Sequence, residues 1–225
     1  IPLRLVGSEM CIRDRLSFFL AFRNEHGLMK WQVRQSNNGE LYVDEDANDN
    51  ATDGGALPAE RYLTDVDIDI ATALFLASRR WSQGSPYYPA DAYESEAASL
   101  CDAILAYNIH DELHTPLLGD WCNRDDRENC KLYDATRSSD FILSSFLLFH
   151  VKHPDARARA RWQQVLESTL QVAISQLGTH PTGLIGDFLV YDKRKGWHAV
   201  NGKLLESKHD GDMSWNACRT RAYFR

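Results

Sequence analysis

The stretch that most constrains this chain runs from Leu63 to Trp81, LTDVDIDIATALFLASRRW. Asp65, Asp67 and Asp69 alternate, and an apolar segment follows at once. This pattern predicts a helix that starts at Thr64 or Asp65, because either residue caps a helix and acidic side chains suit its positive N-terminal end. Ile70, Ala73, Leu74, Ala77 and Trp81 recur at helical spacing and define the expected inner face. Read alone, the stretch is equally a core helix with a solvated acidic first turn.

The chain has 225 residues and a net charge of -7. That length suffices for one domain with a sizeable core. The acidic balance and the lack of a basic stripe argue against nucleic acid as a partner. No apolar run is long enough to span a bilayer, so no membrane partner is expected. The five cysteines show no zinc-site spacing. Cys122 and Cys130 bracket a polar loop, either as a disulfide or as two free thiols.

Leu5–Arg15 resembles a translated sequencing-library adapter, so residues 1–15 are expected to be non-native and are set apart from 16–225. Leu16–Phe22 reads as the end of a helix, with Gly27 as a natural stop. Residues 34–62 read as a long polar loop. Asp44, Asp46 and Asn48 alternate as in a calcium loop but lack its glycine and terminal glutamate, so no metal site is expected. A helix is expected over Ala90–Tyr107, with Ala97, Leu100, Cys101, Ile104 and Leu105 inward. Asn108–Ala135 reads as irregular. Ser139 is expected to cap the next helix, and another runs from Pro154 to about Leu177, ended by Gly178. Phe188–Tyr191 reads as a short extended segment.

Four ordered motifs resemble glycoside hydrolase family 8. Thr64, Asp65, Asp67, Ile70, Ala71, Ala77 and Trp81 match its signature, with Leu63 and Val66 as departures. Arg137, Ser139, Asp140, Phe146 and Phe149 fit its Arg-Pro-Ser-Asp segment, although Ser138 and Leu143 replace prolines. Thr182-Gly183-Leu184 with Asp187 and Phe188 resembles a third segment. Asn216 and Arg219 fall where most of the family has a base Asp followed by Arg. One branch, of chitosanases and mixed-linkage glucanases, carries Asn there and is thought to use a preceding loop Glu. After Thr220 the family's Pro-Trp-Arg is absent.

The resemblance implies an all-α (α/α)6 barrel, incomplete at both ends, of which residues 16–225 form part. It implies an inverting, endo-acting hydrolase of β-1,4-linked glycans, either β-glucan or chitosan, that is secreted or periplasmic, monomeric and free of metal or organic cofactor. Inverting hydrolysis needs an acid and a base carboxyl roughly 6.5–9.5 Å apart. An amide cannot accept a proton from water near neutral pH, so Asn216 is not the base. Glu206 is the candidate, with Asp210 and Asp212 as rivals. Asp65 would sit under the central sugar and help place the water. Asp67, Arg137, Asp140, Asp187, Asn216 and Arg219 would bind or orient substrate. Trp31, Trp121 and Trp215 would stack on sugar faces, though Trp31 is as readily a core residue. The acid is not among these residues. A non-catalytic carbohydrate-binding protein on the same scaffold is the alternative. Another α-toroid, such as a sugar epimerase or an unsaturated-uronide hydrolase, is the third reading.

Overall fold

The computed structural model describes residues 3–30, 33–43, 64–84, 88–179, 181–214 and 216–223. Helix α1 (Leu3–Phe22) runs unbroken across the segment set apart from the sequence, and Ile12 and Leu20 pack on the main core. A turn follows in which Asn24 Oδ1 accepts from the N–H groups of His26 and Leu28, and Gly27 takes φ +84°. The expected polar loop contains a hairpin, β1 (Val33–Gln35) and β2 (Leu41–Val43), paired antiparallel.

Helices α2 (Thr64–Arg80) and α3 (Ala92–Tyr107) pack on each other, as do α4 (Leu143–Lys152) and α5 (Ala156–Thr179). The two pairs meet through α2 on α4 and α3 on α5. Aromatic rings fill the junction. Trp162 lies 4.8 Å from Phe149 in a T-shaped contact and 5.8 Å from Phe146, and Phe149 is 5.9 Å from Phe75. Such pairs contribute beyond the area they bury.

Two expectations about these helices need correction. The buried face of α2 includes Asp65, Asp67, Ile68, Ala71 and Phe75, whereas Ala73 is exposed. Leu74 and Ala77 are buried and Ile70 and Trp81 pack on the core, as expected, so the inner face is widened to take in two carboxylates that an apolar pattern assigns to solvent. Ser139 does not cap α4. Its hydroxyl donates to Asp140 Oδ1 in a 3-10 turn over Ser138–Asp140, and α4 starts only at Leu143.

The fold is not purely helical. Strands β3 (Ala135–Arg137), β4 (Phe188–Asp192) and β5 (Gly196–Ala199) form an antiparallel sheet with β4 central. The register sets Arg137 opposite Phe188. Phe141, Val172, Ala173, Ile185, Leu189 and Ala217 join this sheet to α5 and to the short α6 (Ala217–Tyr223). The stretch before β3 is irregular, as expected, and a Cys122–Cys130 disulfide staples it. Among the described residues, no helix is long and apolar enough to cross a membrane.

Candidate active site

The first turn of α2 is tied to the irregular stretch, because Thr64 Oγ1 donates to the Leu117 carbonyl at 2.8 Å. This fixes Asp65, whose side chain is about nine-tenths buried. Arg219 of α6 donates from Nη1 to Asp65 Oδ2 at 2.8 Å. Asp65 Oδ1 is buried and has no hydrogen-bond partner among the described residues.

Asp140 lies within electrostatic reach of Asp65, Arg137 and Arg219. Burial raises the pKa of its carboxyl group, and the Asp65 charge adds to that. Arg137, Ser139 and Arg219 offset it in part. Arg137 is buried, with its guanidinium 4.8 Å above the Phe188 ring. Its Nη2 donates to Glu206 Oε1 at 2.9 Å. The other carboxylate oxygen of Glu206 accepts from Asn216 Nδ2 at 3.2 Å. The Glu206 side chain is 47% exposed, so it faces solvent while gripped from two sides. Arg219, Asp65, Asp140, Arg137, Glu206 and Asn216, distant in sequence, thus form one polar patch.

The remaining candidates are placed differently. Asp67 is wholly buried. Its Oδ1 accepts from the Met29 N–H at 2.8 Å and its Oδ2 from Asn108 Nδ2 at 3.4 Å. Burial raises its pKa to about 8. Asp187 is also buried, and it accepts from the N–H groups of Ser214, Asn216 and Ala217. In both groups the carboxylate oxygens accept from N–H donors of the chain itself. Trp121 is half-buried between two apolar clusters, one of which contains Phe188. Trp31 and Trp215 lie outside the described residues, as do Asp44, Asp46 and Asn48.

Of the two rival bases, Asp210 is buried and accepts four backbone N–H bonds, from Leu204, Leu205, Glu206 and Ser207. Burial pushes its pKa up, but those bonds outweigh it and hold the carboxyl below its usual range. Asp212 is exposed and lies 2.8 Å from His209 Nδ1. The anchoring role of Asp210 was not read from the sequence. The nearest signal was Gly211, where a Cβ would collide with the Val200 carbonyl. Among the described residues no cluster of His, Cys, Asp or Glu has the makings of a metal site.

No family model matches the chain. It is 30% identical over 200 residues to a beta-glucanase of Niallia circulans, a match that covers 88% of this chain and 41% of that protein. The chain therefore spans about two-fifths of the length of the curated relative it matches. The apo structure of a beta-1,3-1,4-glucanase from Paenibacillus sp. X4 superposes with a TM-score of 0.63 at 27% identity, over 76% of this chain and 42% of that one. A cold-adapted family 8 xylanase superposes with a TM-score of 0.63 over 92% of this chain and 47% of that one, and at 15% identity this likeness concerns the fold alone. The relatives and structural neighbours of this chain are thus glycoside hydrolases of the family 8 type.

Proposed function

We propose that residues 16–225 are part of an inverting, endo-acting glycoside hydrolase of family 8, built on an (α/α)6 toroid, with Glu206 as the general base. The observation that carries this reading is the half-exposed Glu206 carboxylate, held between Arg137 and Asn216 beside the Asp65–Arg219 pair. Glu206 takes a proton from the attacking water. Asp65, whose Oδ1 makes no bond within the described chain, helps place that water and the central sugar. Asp140, Arg137 and Arg219 orient these groups. A carboxylic acid outside the present residues protonates the leaving oxygen.

The substrate we favour is a neutral β-glucan rather than chitosan. Glu206 and Asp65 each carry an arginine partner, which leaves little net negative charge to attract a cationic glycan. In a polypeptide extended to the length of the relatives, Glu206→Gln should lower reducing-sugar release from mixed-linkage β-glucan by about 100-fold or more, with oligosaccharide binding retained. Undiminished turnover would remove Glu206 from this role. The amide Asn216, at the position where the family usually has its base, favours a second reading. On that reading the protein binds glycan without cutting it, and neither form would release sugar.

A further inference from the structure

We propose that Asp187 and Asp210 are positioning residues that together hold Glu206 and Asn216 in contact. The inference rests on the reading of Glu206 as the working carboxylate. Glu206 sits on an irregular loop, and such a loop does not by itself fix a side chain. Asp210 supplies what the loop lacks. Its Oδ2 accepts from Leu204, Leu205 and Glu206 at 2.7–3.0 Å, and its Oδ1 accepts from Ser207 at 2.7 Å. One buried anion thus gathers four consecutive N–H groups, including that of Glu206 itself.

Asp187 does the same for the opposite wall. It accepts from Ser214 at 3.1 Å, from Asn216 at 3.4 Å and from Ala217, so it fixes the backbone of Asn216. The two aspartates share one frame. Asp187 N–H donates to the Asp212 carbonyl at 2.9 Å, and Phe188 N–H donates to the Asp210 carbonyl at 2.8 Å. The segments also approach too closely for side chains, since a Cβ on Gly186 would lie 2.6 Å from the Gly211 carbonyl. Phe188 is the ring beneath Arg137. Both side-chain partners of Glu206, and its own N–H, are therefore referenced to the start of β4.

The test uses the 225-residue protein and needs no activity. Nuclear magnetic resonance of the Asn216 side-chain amide reports its bond to Glu206 directly. Glu206→Gln should move that signal. Asp210→Asn and Asp187→Asn, each of which turns an acceptor oxygen into a donor, should move it in the same direction in a protein that remains folded. An unmoved signal in both folded variants would overturn the proposal. Should either variant fail to fold, the unaltered protein still decides. The Leu204–Ser207 amides should exchange at least about 100-fold more slowly than in an unstructured chain, and free exchange there would overturn the proposal. Intact clamp signals in the 225-residue protein, alongside turnover of the longer polypeptide that ignores Glu206→Gln, would support the clamp and sink the base assignment. Absent clamp signals alongside turnover lost in Glu206→Gln would do the reverse.

Discussion

Asp67 carries a carboxyl group with no exposed surface, and the pH response of the protein should show it. Its pKa is about 8 in the folded chain, against about 3.9 when unfolded. Burial is the main cause, with the Asp120 and Asp65 charges adding to it and Met29 and Asn108 opposing it. Between those values the folded form keeps a proton that the unfolded form has lost. The contribution of Asp67 to stability should therefore be greatest below pH 4, decline as the pH rises, and level off above 8. The slope reaches at most ~1.4 kcal/mol per pH unit. Asp67→Asn has no proton to lose and keeps an oxygen for Met29, so its advantage over the unaltered protein should grow with pH. Urea unfolding of both proteins at pH 5 and pH 8 measures that difference. The same gap at both values would mean that Asp67 is ionised throughout.

At the scale of elements, the irregular stretch before β3 is braced covalently. The disulfide joins Cys122 to Cys130, and Leu117, Tyr133 and Trp121 pack around it. A loop this short contributes about 2–3 kcal/mol when closed. Cys122→Ser with Cys130→Ser should lose that amount in chemical unfolding, and thiol reductant should affect only the parent protein. Unchanged stability would show that packing alone holds the stretch. The elements also differ in how far the sequence discloses them. Helix α3 is plain because Ala97, Leu100, Cys101, Ile104 and Leu105 keep a helical period and are all buried. The buried face of α2 is not, because Asp65 and Asp67 replace apolar residues on it. The β3–β4–β5 sheet was hidden because β3 has only three residues and pairs with a strand some fifty positions away. For the site, Glu206 stood out as the carboxylate near Asn216. Its grip by Arg137 is a long-range contact that no local pattern carries, and Asp187 and Asp210 look in sequence like any other acids of a polar loop.

At the scale of the whole molecule, the limiting feature is the supply of proton donors. Inverting hydrolysis requires two carboxyl groups on opposite faces of the scissile bond. Of the carboxyl groups in the polar patch, Glu206 is half-exposed, while Asp65 and Asp140 are buried, Asp65 against Arg219 and Asp140 against Ser139. Asp140 has a raised pKa and so is readily protonated, but its buried oxygens offer no route to a leaving group. On the proposed reading, the second of the two required groups is not among the described residues of this patch and is assigned to the length of protein that the relatives have and this chain does not span. The 225-residue protein should therefore bind β-glucan oligosaccharides weakly and release no reducing sugar, while a polypeptide of the relatives' length should do both. Calorimetric titration with oligosaccharides, run beside a reducing-sugar assay on both lengths, checks this. Measurable turnover by the 225-residue protein would require an acid within the chain itself, and Asp140 would then be the first group to test by substitution with Asn.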